Sequence, residues 1–225
     1  MLKRSLENKL HPVLALDINL IQPSLIQKGD HLWVLRPGCV VLPYDQYEGI
    51  SFIGRHFLDK ESKTNAMASA VSKRFIQPIL YMVVENTKGE FLSYARNGTE
   101  TDLHTKHSVG FGGHIDLLDF HSLPLQGDGY YPTFGKVIEH SAKRELKEEL
   151  NLEIDGQISL TTCFYDTGDE VGQRHLALVA SIILTEEQEA QLKPSDEIKN
   201  MKWRTREELR DCNLEAWSKI ALTNV

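Results

Sequence analysis

Three glutamates within five residues carry the first chemical signal in this chain. In Arg144-Glu145-Leu146-Lys147-Glu148-Glu149-Leu150 the acids stand at i, i+3 and i+4. On a helix these positions share one face, with Cβ atoms about 5–6 Å apart. Three carboxylates that close repel one another, and a divalent cation among them turns the repulsion into attraction. Mg²⁺ takes hard oxygen ligands and keeps several waters, so a few carboxylates and a phosphate-bearing substrate suit it. The competing reading is a solvated acidic face supported by i, i+4 ion pairs such as Glu139 with Lys143. Upstream, Gly112-Gly113-His114 ends a β-prone stretch. Two glycines let backbone approach a ligand closely and leave a carbonyl free to coordinate.

These residues need a frame to hold them. Ile138, Ala142, Leu146 and Leu150 recur every four residues, so Lys136–Leu150 is expected to form a helix with a buried apolar stripe. Ile79–Glu85 reads as a buried strand, Asn86–Gly89 as a turn and Glu90–Arg96 as the returning strand. Further strands are expected at 158–165, 175–184 and 199–204. A helical turn is expected at 186–192, and a final helix after the capping-box pattern Thr205-x-x-Glu208. Residues 117–132 read as an irregular insertion. In the first 74 residues, 31–42 suggests two short strands about Pro37-Gly38, 51–57 another strand, and 59–74 a helix-compatible stretch. A small domain packing on the sheet and a dimerisation arm both remain open for residues 1–74. Strands and helices interleave, which indicates an α/β protein.

The 225 residues carry a formal net charge of −7, which argues against broad attraction to a nucleic acid backbone. Cys39, Cys163 and Cys212 are far apart and odd in number, so free thiols are expected rather than disulfides or a zinc site. No apolar run approaches the length of a membrane span, and the N-terminus lacks a signal-type apolar core. A cytoplasmic protein without a membrane partner is the expectation.

Taken together, the Gly-Gly loop and the Arg-Glu-Leu-x-Glu-Glu block resemble the Nudix box, G-x5-E-x7-R-E-U-x-E-E-x-G-U with U aliphatic. Arg144, Glu145, Leu146, Glu148 and Glu149 match its centre, and Leu152 its last aliphatic position. The resemblance covers about residues 75–225. It implies a Nudix-type α/β/α sandwich with a mixed sheet over 75–225, preceded by an α/β extension over 1–74. It implies a pyrophosphohydrolase using Mg²⁺ or Mn²⁺ on a small nucleotide-type substrate. Glu148 and Glu149 would be metal ligands, and Glu145 would bind metal or activate water. Arg144 would orient Glu145, and the Gly112 carbonyl would complete the inner shell. Glu197, in the loop before the last strand, is the candidate for a further base or ligand.

The match has departures. Gly113 and Arg144 enclose 30 residues, so the loop, including 117–134, is about 17 longer than the pattern. Lys136 stands where the first glutamate of the box falls. Asp116, Asp119 and Glu139 are open as substitutes. Asn151 replaces the late glycine, and asparagine tolerates the left-handed region that such a cap requires. His104, Lys106 and His114 are candidates for substrate contact, with an ordinary loop role as the alternative. Asp166, Asp169, Glu170 and His175 read mainly as turn chemistry. A catalytically silent module that binds a nucleotide or a protein partner, and a homodimer, stay open beside the hydrolase reading.

Overall fold

The computed structural model of the chain describes residues 12–21, 25–35, 50–54, 58, 71, 73–96, 106–124, 132–196 and 198–225. In chain order the elements are β1 (Pro12–Asp17), α1 (Ile18–Ile21), β2 (Leu25–Lys28), β3 (Leu32–Leu35), β4 (Ile50–Gly54), β5 (Phe75–Asn86) and β6 (Phe91–Arg96). Then come β7 (His107–Ser108), β8 (Gly110–Phe111), α2 (Leu117–His121), α3 (Phe134–Leu150), β9 (Leu160–Asp166) and β10 (His175–Leu184). The chain ends with α4 (Glu186–Gln191), β11 (Ile198–Arg204), α5 (Arg206–Arg210) and α6 (Ala216–Asn224). The mixed α/β class expected from the sequence is found. The described residues fall into two compact units, each assembled from separated stretches.

The first unit takes residues 1–79, 114–141 and 163–178. Here β1 pairs antiparallel with β4, and its end pairs with the start of β5. The backbone N–H of Leu14 also donates to the Ile115 carbonyl at 2.8 Å. Strand β1 is apolar on nearly every residue because it is covered on both faces; Val13, Leu14, Ala15 and Leu16 are all buried. Strands β2 and β3 form a hairpin turning at Gly29 (φ +82°), and β3 pairs with β9. Asp17 accepts from Arg74 Nε at 2.8 Å and from the backbone and side chain of Asn19. The Arg74 hydrogen bond holds the Asp17 carboxyl below its usual range.

Four expectations fall in this unit. The strand foreseen at 51–57 is β4, and the first of the two foreseen in 31–42 is β3. The second of that pair, and most of 59–74, lie outside the described residues. Residues 117–132 are not wholly irregular, because Leu117–His121 forms a helix. Its start is fixed by a reciprocal pair: Asp116 N–H donates to Asp119 Oδ2 at 2.9 Å, and Asp119 N–H to the Asp116 carbonyl at 3.0 Å. An Asp-x-x-Asp spacing does the work usually given to Ser/Thr-x-x-Glu.

The second unit takes residues 80–113, 142–162 and 179–225. Strands β5 and β6 form the hairpin foreseen at Asn86–Gly89. Asn86 Oδ1 accepts from the amides of Lys88 and Glu90, and Gly89 takes φ +76°. Strand β8 pairs with β5, β7 with β6, and β11 with β6 across a bulge. The last nine residues of α3 belong to this unit. Leu146 and Leu150 are fully buried, each contributing roughly 1.5–3 kcal/mol of burial. Asn151 (φ +54°) ends the helix, with its N–H on the Lys147 carbonyl at 3.0 Å. Thr205 and Glu208 form the foreseen capping box at α5, but that helix lasts five residues and α6 follows it.

Candidate active site

The glycine loop and the acidic turn of α3 meet within the second unit. Gly112 takes φ +131°, and a Cβ there would stand 2.5 Å from the Leu80 carbonyl oxygen. A Cβ on Gly113 would stand 2.8 Å from Glu145 Oε1. Gly112 therefore requires glycine, for its backbone conformation and for the close approach of the Leu80 carbonyl, whereas a Cβ on Gly113 would displace only the end of the Glu145 side chain. The loop is pinned by Leu80 N–H donating to the Gly113 carbonyl at 2.9 Å. The Gly112 N–H donates to Glu149 Oε2 at 2.7 Å, a charge-assisted bond.

Arg144 lies between two of the acids. Its Nη1 donates to Glu145 Oε1 at 2.9 Å and to Glu148 Oε2 at 3.2 Å. Exposure separates the roles of those two acids. The Glu145 side chain is 13% exposed, whereas Glu148 is 60% exposed and its ion pair is well screened. Glu149 is half-buried, and its backbone carbonyl accepts from Ser195 N–H at 2.8 Å, tying the loop before β11 to the helix. Tyr94 donates from its hydroxyl to the Gly110 carbonyl at 3.1 Å. Burial raises its pKa, with the Glu149 charge adding to the rise.

Among the described residues no group of three or more His, Cys, Asp or Glu side chains is gathered as a metal cage. Arg144 holds Glu145 and Glu148, and Glu149 is turned to the Gly112 amide. The donor set nevertheless fits a hard divalent cation: carboxylates alone, on a rigid helix, beside a loop with no side chains in the way.

The sequence-derived candidates separate. Arg144, Glu145, Glu149, Gly112 and Gly113 come together, with Glu148 at the exposed rim. Lys106 is half-buried just before β7 in the same unit. His114 belongs to the first unit, where its Nε2 lies 2.9 Å from Gln77 Oε1 and its ring meets that of His175. His104 and Glu197 lie outside the described residues. Lys136 is exposed, and Asp119 is committed to capping α2. Around the 166–175 turn, Asp166 accepts from Gly168 N–H and Asp169 from Gly172 N–H, as plain turn chemistry requires. Cys163 is a buried thiol in no disulfide, pushed up to about 12 by burial, which removes it as a nucleophile. No helix of the described residues is long and apolar enough to cross a membrane.

Sequence reasoning passed over Gln77 and the Glu215 cluster. Glu215 accepts from Tyr81 Oη (2.9 Å), Ser108 Oγ (2.6 Å), Ser218 Oγ (3.3 Å) and Arg96 Nη1 (3.0 Å). These partners are remote in sequence, and no short motif links them.

An α/β protein with a glutamate-rich helix seated against a paired-glycine loop is the class that fold and site define. The NUDIX domain family model matches residues 77–223. The chain is 30% identical over 157 residues to Protein YmaB of Bacillus subtilis (strain 168), spanning 66% of this chain and 70% of that one. It is similar in fold to Tm1382, a putative Nudix hydrolase, over 94% of this chain and 97% of that chain, with a TM-score of 0.56 and 16% identity. A MutT protein from Methanosarcina mazei Go1 is similar over 66% of this chain and 91% of its own, with a TM-score of 0.44 and 18% identity. The chain belongs to the Nudix family, whose members are typically pyrophosphohydrolases that usually use divalent metals. Strands β1 to β4 precede the matched region, in agreement with an N-terminal extension.

Proposed function

We propose that the protein hydrolyses a pyrophosphate linkage in a nucleoside diphosphate joined to another group, with residues 75–225 as the catalytic region. The observation that carries this reading is the seating of Glu145 and Glu149 against Gly113 and Gly112, with Arg144 between Glu145 and Glu148. Glu145, Glu148, Glu149 and the Gly112 carbonyl would hold Mg²⁺ or Mn²⁺. Such an ion shields phosphate charge and lowers the pKa of bound water.

The chain's own groups do the rest. Arg144 pairs with the Glu145 carboxylate and orients it. An oxygen of Glu145, or of Glu197, accepts the proton of the attacking water. The water oxygen bonds to one phosphorus, the bridging P–O bond breaks, and the departing phosphate takes a proton. No covalent nucleophile is needed, and buried Cys163 supplies none. Lys106 contributes a polar contact to the substrate.

The alternative is a silent module that binds a nucleotide or protein partner. Exposed Lys136 at the first glutamate position of the box favours it. The panel that separates the two contains nucleotide sugars, ADP-ribose, dinucleoside polyphosphates, NADH, CoA and nucleoside triphosphates, with and without Mg²⁺ or Mn²⁺. Metal-dependent release of phosphate or nucleoside monophosphate that is lost in Glu148→Gln supports hydrolysis. Ligand-raised Tm without turnover supports the silent module.

A further inference from the structure

Side chains take hold of the backbone just before Gly112, all within the second compact unit. Val109 N–H donates to Ser218 Oγ at 3.1 Å, and Gly110 N–H to Ser108 Oγ at 3.1 Å. The Gly110 carbonyl lies 3.1 Å from Tyr94 Oη and 3.2 Å from Ser108 Oγ. Ser108 has one hydroxyl hydrogen, and Glu215 Oε1 stands closer to it, at 2.6 Å. That hydrogen goes to the carboxylate, so of the two hydroxyls it is Tyr94 that donates to the Gly110 carbonyl.

Tyr94 suits that duty. It is buried on β6, and its ring meets that of Phe111 with centroids 5.0 Å apart. Burial raises the phenol pKa and the Glu149 charge adds to the rise, so the hydroxyl keeps its proton and remains a donor. The Tyr81 ring lies where a Cβ on Gly110 would stand. Strand β8 is thus held at Gly110 by a packed ring and by a buried hydroxyl. Two residues on, Gly112 donates its N–H to Glu149 Oε2 at 2.7 Å. Paired glycines keep wide backbone freedom, so Gly112 points where the residues before it send it.

We infer that Tyr94 is a positioning residue: its hydroxyl fixes the Gly110 peptide and so aims the Gly112 amide and carbonyl at the acidic turn of α3. Tyr94 acts from beneath the loop, as a buried support that locks the groups in front of it. The inference deepens the hydrolase reading and rests on it for the effect on turnover. The placement of the loop is measured without substrate or metal.

Tyr94→Phe keeps the ring and removes only the hydroxyl. The test follows the ¹H–¹⁵N signal of Gly112 in the isotope-labelled full chain, free of metal. In the parent protein that amide is expected at low field and protected from hydrogen exchange, as a charge-assisted bond to Glu149 requires. Glu149→Gln marks the position the signal takes when that bond is weakened. In Tyr94→Phe the signal should move toward the same position. Mn²⁺ binding should weaken by about tenfold. With the best substrate of the panel, kcat should fall by about tenfold, with KM within about threefold. A hydroxyl that serves the fold alone would lower Tm and nothing else. An unmoved Gly112 amide therefore overturns the proposal, and so does a moved one with Mn²⁺ affinity and kcat unchanged. A Gly112 amide that exchanges as fast as an open loop in the parent protein overturns it too, whether or not the variant folds. If the panel yields no substrate, the hydrolase reading falls separately, and the Gly112 amide alone decides the role of Tyr94.

Discussion

Two arginine–carboxylate groups occupy the same compact unit and are built in opposite ways. At Glu215 the acid is nearly closed off: its side chain is 7% exposed, and Arg96, Tyr81, Ser108 and Ser218 all bond to it. At Arg144 one guanidinium is shared between two carboxylates, one of them 60% exposed, and a third acid hangs on a backbone amide. The first arrangement uses its acceptor capacity on the protein. The second gathers three carboxylates on one helix face beside Arg144, a poor way to stabilise a helix and the arrangement on which the proposed metal site rests. Charge that is saturated internally is structural, and the carboxylates gathered beside the glycine loop are where the proposed ligand chemistry would fall.

The sharpest break in that comparison comes from Glu215→Ala. It removes the carboxylate bonded by Arg96 and leaves buried hydroxyls of Tyr81, Ser108 and Ser218 short of an acceptor. Stability should fall by roughly 3 kcal/mol, read as a drop in the urea midpoint at unchanged slope. Glu145→Gln should do the reverse. Stability changes by less than about 1 kcal/mol, because lost pairing with Arg144 is offset by relieved repulsion. Metal-dependent turnover should fall by at least about a hundredfold.

Gly113→Ala comes next. Its Cβ would stand 2.8 Å from Glu145 Oε1, so the carboxylate must shift. A loss of about tenfold in kcat with Tm nearly kept would show that the loop positions the acid rather than supports the fold.

The smallest effect lies in the first unit, at Asp17 and Arg74. The Asp17 carboxyl is held below its usual range, so the pair stabilises the fold above the ordinary aspartate pKa of about 3.9. That stability disappears as pH falls through the lowered folded value. Arg74 is 65% exposed, which limits the effect to about 1 kcal/mol or less. Asp17→Asn should therefore lower Tm slightly at pH 7 and match the parent protein once the pH is below the lowered folded value.

Period and spacing explain why some of this was legible in the sequence. The stripe through Ile138, Ala142, Leu146 and Leu150 repeats every turn, so α3 and its acidic face could be read directly. The Asn86–Gly89 turn and the Asn151 cap were legible because their local chemistry is short-range. Strand β5 was foreseen only from Ile79, where the continuous apolar run starts; the strand in fact begins at Phe75. The Gln77 contact with His114 spans 37 residues, and Glu215 reaches Ser108 across 107 and Tyr81 across 134. Contacts at that range follow from tertiary packing and leave no trace in spacing. The Asp116–Asp119 cap was missed for a different reason: the pattern sought was Ser/Thr with Glu.

The most direct test is turnover of the pyrophosphate-linked panel by the parent protein and by Glu149→Gln, each with its Tm measured with and without Mg²⁺. Mg²⁺-dependent cleavage in the parent protein is expected, lost by at least about a hundredfold in Glu149→Gln while its metal-free Tm is retained. Cleavage that persists in Glu149→Gln, or that proceeds at full rate in chelator, would contradict the assignment of catalysis to the acidic face of α3.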